Sequence, residues 1–379
     1  MHPTSRQTGR RLGLLLLGYL AALVAVVVLA PFRFAWPTAS RFVVVAGEAW
    51  WLDAILNVVL FVPLGFVGAR AVDRRGVRWV VVVGLLVFSA TLETLQLLLP
   101  GRYSTWSDIV ANTTGALVGV ALARLVARRV GDDRVLVPNL LLDLPLTGLL
   151  WLLVPALWLD GLGAAGNPAR LRLLLPVAVA GGLAAAAVAT SAAGERRRGA
   201  EGAVGLVILW YGIGVVPAVF VDPTVAALGF AVAMAAAFAG VPAWREALRR
   251  ERRLEPHVLR FLLPLLVAYL IGLAAYPGAL EVLGPEGGRV AVLRWIERVA
   301  AFTVLGYAVA EWGGRREAPI GETVLPGVLV AALLASGLQG FGDPPAGWSS
   351  VPLFACAAAV GGVLYHLQRA HVIALRRGE

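Results

Sequence analysis

Three pairs of polar residues and one arginine interrupt the apolar first third of the chain. Within each pair the residues are three or four positions apart, a spacing that places both side chains on one face of a helix. Carboxylates transfer protons, amides hydrogen-bond sugar or peptide groups, and a guanidinium binds carboxylates or phosphates. We therefore predict a site for a polar ligand or substrate. Its candidate residues are Asp53 with Asn57, Glu93 with Gln96, Asp108 with Asn112, and Arg102.

Position along the predicted helices separates the charged candidates. Asp53 and Asp108 fall at helix starts, where a carboxylate caps free N–H groups, so capping explains them as well as a site does. Glu93 falls near a helix end inside an apolar segment, where the helix dipole and the bilayer both disfavour an anion. A site is therefore the better explanation of Glu93, and Arg102 is its predicted partner.

The amides and nearby glycines have structural explanations as well. Asn57 and Asn112 are explained equally well by hydrogen bonds between helices and by ligand binding. Gly115 and Gly119 are four residues apart, which is typical of a seam where two membrane helices pack closely.

The elements that must hold these residues are membrane-spanning helices. Of the 379 residues, 59% are hydrophobic and 15% are charged, and the mean hydropathy is +0.80. Soluble domains carry about 25% charged residues, so this composition excludes a soluble globular enzyme, and its apolar richness excludes a disordered chain. The net charge of +10 comes from short basic runs between apolar stretches, which is typical of membrane-protein loops rather than of nucleic-acid binding.

Apolar segments of sufficient length predict an all-α, polytopic transmembrane bundle of about twelve spans. A bilayer core about 30 Å thick needs about 20 apolar residues in a helix, and residues 12–30 lack any charge. The spans group into three predicted four-helix blocks, residues 1–130, 139–243 and 257–372. The other spans are predicted at about 53–69, 78–99, 108–127, 144–159, 173–190, 203–221, 224–241, 261–276, 295–310, 323–338 and 351–368.

The arginine-rich runs predict the orientation. With the N-terminus in the cytoplasm, every dense run, such as residues 195–198 and 245–253, falls on the cytoplasmic side, as the positive-inside rule requires. We therefore predict a multi-pass protein of the cell membrane with both termini in the cytoplasm. The candidate site residues then lie in the outer half of the bilayer.

The ordered polar residues resemble the pattern of the VanZ-like family. The resemblance covers about residues 11–128. The type member of that family is associated with low-level resistance to the glycopeptide antibiotic teicoplanin, so the resemblance implies a four-helix membrane unit with a role in the cell envelope. It implies no reaction. The matching residues are Asp53-xxx-Asn57-xxx-Phe61-x-Pro63-x-Gly65, Glu93-xx-Gln96, Arg102 and Asp108-xxx-Asn112-xx-Gly115-xxx-Gly119.

The C-terminal third is predicted to be a degenerate second copy of this unit. In the alignment Ser336, Ser350 and Phe354 stand where the first copy has its acidic and amide residues Glu93, Asp108 and Asn112. The middle block, with four predicted spans, is expected to contain almost no buried charge and to serve as packing or scaffold. The aligned segments are 259–277 with the first span, 301–307 with 60–66, 336–339 with 93–96, and 348–350 with 106–108.

Three functions fit these features, and the leading one is binding. In it, the polar cluster binds an amphiphilic envelope ligand, a lipid-linked wall precursor or a lipoglycopeptide, with a role in glycopeptide resistance. In the second, an intramembrane enzyme acts on a lipid-linked substrate, with Glu93 as general acid or base and Arg102 holding a phosphate. The third is a small-solute transporter, suggested by the number of spans and the repeat.

The expected partners are membrane lipids and the amphiphilic ligand, with no nucleic acid. The sequence contains no HExxH, no G-x-S-x-G and no nucleotide-binding loop. No cofactor and no metal ion is therefore predicted.

Overall fold

The protein is a bundle of α-helices, as predicted. A computed structural model describes residues 3–36, 42–43, 50–72, 78–100, 104–129, 146–164, 167–192, 196–250, 254–275, 285–314, 318–341 and 350–376. In the first third of the chain the helices are α1 Pro3–Leu29, α2 Trp50–Ala71, α3 Arg78–Gln96 and α4 Trp106–Arg129.

Nine further helices follow in the described part of the remaining chain. Two short 3₁₀ helices, Pro168–Leu173 and Leu338–Phe341, lie among them. The α-helices are α5 Thr147–Gly163, α6 Leu174–Ala192, α7 Arg196–Gly214, α8 Val216–Val221, α9 Pro223–Arg250, α10 Glu255–Ala275, α11 Pro285–Gly313, α12 Ile320–Gly337 and α13 Ser350–Arg376.

Length and composition identify membrane-crossing helices. Among the described residues, nine helices are long and apolar enough to cross a bilayer, namely α1 to α4, α6, α9, α10, α12 and α13. The apolar helices at Thr147–Gly163 and Gly199–Gly214 are shorter, and α11 carries Glu297 and Arg298 within its apolar part. The prediction of a multi-pass membrane protein is confirmed, while the number of about twelve spans stays a prediction.

The chain divides into two compact units. Unit 1 comprises residues 1–140 with 374–379, and unit 2 comprises residues 141–373. Helices α1 to α4 belong to unit 1, and α5 to α12 with nearly all of α13 belong to unit 2. The division into three four-helix blocks stays a prediction.

In unit 1, α2 and α4 pack with their backbones in direct contact. A Cβ atom added to Gly65 would lie 2.2 Å from the carbonyl oxygen of Ala116, and one added to Gly115 would lie 2.1 Å from that of Val58. No side-chain movement relieves a clash with backbone, so these positions need glycine. Gly119 extends the same seam, and the predicted close packing around Gly115 and Gly119 is confirmed.

Two connections of unit 1 meet in a short parallel pairing. Strand β1, Phe42–Val43, lies between α1 and α2, and strand β2, Ser104–Thr105, immediately precedes α4. Phe42 pairs with Ser104 and Val43 with Thr105. The pairing holds the start of α4 in a defined place relative to the rest of unit 1.

Exposed tryptophans mark the helix starts in unit 1. Trp51, Trp79 and Trp106 are 54%, 64% and 58% exposed at or next to the first residues of α2, α3 and α4. Tryptophan is enriched at the membrane–water interface, because its ring is apolar and its N–H is polar. Their positions fit helices that begin at the two faces of a bilayer.

In unit 2, α11 and α13 also form a glycine seam. A Cβ atom on Gly306 would lie 2.1 Å from the carbonyl oxygen of Ala358, and one on Gly361 would lie 2.0 Å from that of Thr303. Small residues allow such close approach of membrane helices, which associate through van der Waals packing.

Candidate functional site

Glu93 lies at the centre of a buried polar group in unit 1. It occupies the last turn of α3, which ends at Gln96, and only 3% of its surface is exposed. The Ser104 hydroxyl donates a hydrogen bond of 2.6 Å to the Glu93 carbonyl oxygen. The Thr105 backbone N–H donates to the Glu93 carboxylate over 3.1 Å. Strand β2 therefore holds both the backbone and the side chain of Glu93.

Gln96 completes the surroundings of this carboxylate. The buried Gln96 amide is assigned with its nitrogen toward Glu93, because in that orientation it donates to both carboxylate oxygens over 3.1 Å. The predicted placement of Glu93 and Gln96 on one helix face is thus confirmed. The carboxylate receives hydrogen bonds from a backbone and a side-chain N–H, which compensate its removal from water.

Asn112 lies buried on α4 and bonds to α3. Its Nδ2 donates to the Ser89 hydroxyl over 2.9 Å, and Ser89 stands one helical turn before Glu93. The Asn112 side-chain oxygen is buried and has no hydrogen-bond partner among the described residues. An unpaired buried acceptor costs about 1 to 3 kcal/mol, so this oxygen needs a donor from water or a ligand.

Asp108 stands in the first turn of α4, where Thr105 provides a cap. The Asp108 backbone N–H donates to the Thr105 hydroxyl oxygen over 3.1 Å, and that hydroxyl also pairs with the Ser107 hydroxyl at 2.8 Å. Thr105 therefore links the start of α4 to the Glu93 carboxylate, and Asp108 lies half-buried beside this link.

The remaining candidates stand apart from this hydrogen-bonded group. Asp53 is exposed in the first turn of α2, and Asn57 is half-buried one turn later. In the described part of unit 1, no hydrogen bond joins either residue to Glu93, Gln96 or Asn112. Arg102 lies outside the described residues, so its pairing with Glu93 stays a prediction.

Other polar side chains of α3 and α4 are satisfied within their own helices. The hydroxyls of Thr91, Thr94, Thr113 and Thr114 each donate to the carbonyl oxygen four residues earlier, over 2.7 to 2.8 Å. These bonds allow threonine to face lipid without leaving a polar group unpaired. The unpaired Asn112 oxygen is therefore an exception in these helices.

Unit 2 contains a second buried polar group, which the sequence-based interpretation missed. The Arg170 guanidinium donates to a Glu297 carboxylate oxygen and forms an ion pair with it. The Tyr269 hydroxyl donates to Asp160 Oδ1 over 3.1 Å. All four residues are at most 3% exposed. The expectation of almost no buried charge in the middle block is therefore wrong.

The sequence contained a signal for part of this group. Glu297 falls within the predicted span 295–310, and an ionisable residue inside a membrane span is a site candidate by default. Asp160 was missed because its span was predicted to end at residue 159, whereas α5 runs to Gly163. Arg170 lies in a 3₁₀ helix outside the predicted spans.

A small cavity lies elsewhere in unit 2. Its volume is about 30 Å³, and its lining includes Arg298, Phe302, Gln339 and Phe354. That volume has room for about one water molecule. Phe302 and Phe354 stack with ring centroids 4.7 Å apart, so one wall of the cavity is aromatic.

The fold and the buried groups define a multi-pass membrane protein with ionisable residues inside its helical bundle. Residues 10–127 match the family model described as VanZ/LLP1. The N-terminal third of the protein is therefore VanZ-like, as the ordered polar residues predicted. The match spans α1 to α4 almost completely and includes the hydrogen-bonded group around Glu93. No curated protein and no solved structure matches the chain.

Proposed function

We propose that unit 1 binds the polar part of an amphiphilic cell-envelope molecule at Glu93, Gln96 and Asn112. The ligand class is a lipid-linked wall precursor or a lipoglycopeptide, and binding it contributes to glycopeptide resistance. The observation that carries the proposal is the buried, unpartnered Asn112 oxygen. A hydroxyl or amide N–H of the ligand would supply the missing donor.

Two groups that accept hydrogen bonds, the Glu93 carboxylate and the open side-chain oxygen of Asn112, support a composite site. Ser89, which holds Asn112, and Glu93 lie one turn apart on the same face of α3. The Glu93 carboxylate accepts hydrogen bonds and the Asn112 amide both donates and accepts. A sugar or peptide headgroup carries donors and acceptors of both kinds, so it matches this pair.

The apolar faces beside the site support an amphiphilic ligand. Val87 on α3 and Val110 on α4 are 59% and 66% exposed, and Leu117 is 52% exposed. In a bilayer these faces contact acyl chains. A molecule with a polar head at Glu93 would lay its lipid chain along them.

The first experiment compares drug tolerance in a teicoplanin-sensitive host that expresses each variant at a matched level. Wild type is expected to raise tolerance to teicoplanin, which carries a lipid chain, more than tolerance to a glycopeptide without one. Glu93→Gln keeps the side-chain shape and removes the charge, so it is expected to abolish the effect.

The matched control is Glu322→Gln, the same chemical change at an exposed residue of α12. It is expected to behave as wild type. No change in tolerance with wild type, or equal effects of the two variants, would overturn the proposal.

We also propose that α10 to α13 are a second copy of the four-helix unit, because equivalent atoms meet at both seams. In the predicted alignment Gly306 corresponds to Gly65, and Ala358 corresponds to Ala116. Each glycine lies directly against the carbonyl oxygen of its alanine, with added Cβ atoms 2.2 Å from it in unit 1 and 2.1 Å in unit 2.

The second contact of each seam supports the same alignment. Gly361 corresponds to Gly119, and Thr303 corresponds to Val62. An added Cβ atom would lie 2.2 Å from the Val62 carbonyl oxygen and 2.0 Å from the Thr303 carbonyl oxygen. At the position of Asn112 the second copy has Phe354, so the copies share helix packing and differ in the site.

A further inference from the structure

Asp160 and Glu297 bring two carboxyl groups into hydrogen-bonding distance of each other inside unit 2. Asp160 is 1% exposed and Glu297 is 0% exposed. They come from different helices, α5 and α11. Both carboxyl groups are closed off from water, so water reaches them only if these helices move.

The donors around the pair reach only one oxygen of each group. Tyr269 donates to Asp160 Oδ1 and Arg170 donates to Glu297 Oε2. The second oxygens, Asp160 Oδ2 and Glu297 Oε1, are buried and have no partner within the described part of unit 2. Two carboxylates facing each other repel, whereas a carboxyl O–H facing a carboxylate forms a strong hydrogen bond.

We propose that Asp160 and Glu297 bind one exchangeable proton between them, so that unit 2 holds a proton-binding site. The protonated carboxyl group donates its O–H to the neighbouring carboxylate. This hydrogen bond would satisfy the two unpaired oxygens, Asp160 Oδ2 and Glu297 Oε1. It also balances the fully buried charges, because one of the two carboxyl groups is then neutral and the other is paired with Arg170. Deprotonation releases this proton to water and removes the O–H···O hydrogen bond between the two carboxyl groups.

The charged neighbours place the proton on Asp160. Glu297 is paired with Arg170, and the half-buried Arg294 and Arg298 interact electrostatically with Glu297 as well. These cations lie around Glu297. Asp160 is hydrogen-bonded to the neutral hydroxyl of Tyr269, and Arg170 interacts with it electrostatically without a hydrogen bond to it among the described residues.

One further titratable group near Asp160 is Tyr211 on α7, which interacts with it electrostatically. Its hydroxyl donates to the Ala226 carbonyl oxygen over 2.9 Å. Tyr211 therefore supplies no donor to the carboxyl pair, and the proposed proton is the donor between the two carboxyl groups.

The test is infrared spectroscopy of the purified full-length protein in detergent at neutral pH. A protonated carboxyl has a C=O stretching band distinct from that of a carboxylate, and the band shifts in D₂O. Wild type is expected to show one such band that Asp160→Asn removes. Asp222→Asn is the matched control, because Asp222 caps α9 through Oδ1 and an asparagine caps equally well; it is expected to keep the band.

Absence of the band in wild type, or its persistence in Asp160→Asn, would overturn the proposal. The proposal would also be overturned if the band is absent and sodium ions stabilise the folded protein, because a metal cation would then lie between the two carboxylates. If Asp160→Asn does not fold, loss of the wild-type band as the pH is raised tests the same proton.

Thermal unfolding provides a second, independent readout. A proton bound only in the folded state stabilises that state, and this contribution is lost as the pH rises through the range where the proton leaves. The melting temperature of wild type is expected to fall with rising pH more steeply than that of Asp160→Asn, whose amide keeps a donor at every pH. Equal pH profiles would count against the site.

Discussion

The buried polar group around Glu93 in unit 1 and the one around Asp160 and Glu297 in unit 2 are built in different ways. Around Glu93 the hydrogen bonds join residues at most 23 positions apart, such as Ser104 with Glu93 and Asn112 with Ser89. In unit 2, Tyr269 and Asp160 are 109 positions apart, and Arg170 and Glu297 are 127 apart. The first group is assembled by neighbouring helices, whereas the second exists only once distant segments have packed.

The chemistry of the two groups differs as well. The Glu93 carboxylate accepts hydrogen bonds from the neutral groups of Thr105 and Gln96, and the nearby Asn112 oxygen has no partner among the described residues. In the group in unit 2, the opposite charges of Arg170 and Glu297 are in direct contact. An unpaired acceptor beside a hydrogen-bonded carboxylate suits a ligand, whereas two buried carboxyl groups close together suit a proton. The following predictions test this difference.

The largest effect is expected at the two seams, because both need glycine. Gly65→Val and Gly306→Val each press a side chain against a backbone carbonyl. We expect each to cost more than about 3 kcal/mol, above the usual range for overpacking, because the clash is with backbone. The measurement is the yield of folded, detergent-solubilised protein with its melting temperature.

Gly84→Val is the matched control for both seam variants, since nothing lies within 4 Å of a Cβ added there. It is expected to fold as wild type does. If only one of the two seam variants is damaging, the proposed equivalence of the seams is wrong.

Replacing the buried Arg170, which pairs with Glu297, is expected to have the next largest effect. Arg170→Met leaves the Glu297 carboxylate buried without its partner, and breaking a buried ion pair costs about 3 to 5 kcal/mol. Chemical denaturation of the purified protein measures the loss. Arg260→Met on the exposed face of α10 is the control, and equal stability of the two variants would show that the buried pair contributes nothing.

Phe354→Asn introduces the residue type of Asn112 in unit 1 at the place in unit 2 that the proposed alignment makes equivalent. It removes the stacking on Phe302 and buries an amide, so we expect a loss of about 3 kcal/mol. The difference in unfolding free energy between Phe354→Asn and Phe354→Leu measures the cost of burying the amide. A fully stable asparagine variant would indicate that the second copy also has room and partners for a polar site.

The smallest effect on stability is expected at Asn112, together with a full effect on function. Asn112→Leu removes the unpaired acceptor and one hydrogen bond to Ser89, so the net change is expected to be within about 1 kcal/mol. Teicoplanin tolerance is expected to return to the level of the host alone. If tolerance persists at unchanged stability, Asn112 serves the packing of α3 and α4 rather than a ligand.

Local patterns predicted the class of protein and part of the site. Composition alone excludes a soluble chain, because 59% hydrophobic residues cannot be covered by 15% charged ones. Helical periodicity placed Glu93 and Gln96 on one face, and the spacing of Gly115 and Gly119 predicted a close-packing seam, whose partner α2 only the structure identified. These features depend on residues within a few turns of each other, which the helix repeat alone relates.

Contacts between segments far apart in the chain required the three-dimensional structure. Strand β2, whose residues bind Glu93, pairs with β1 about 60 positions earlier, and no motif marks a strand of two residues. Asp160, Arg170, Tyr269 and Glu297 meet because α5, the first 3₁₀ helix, α10 and α11 converge. The order of residues determines which face of a helix is polar, but which polar faces meet depends on the packing of the whole bundle.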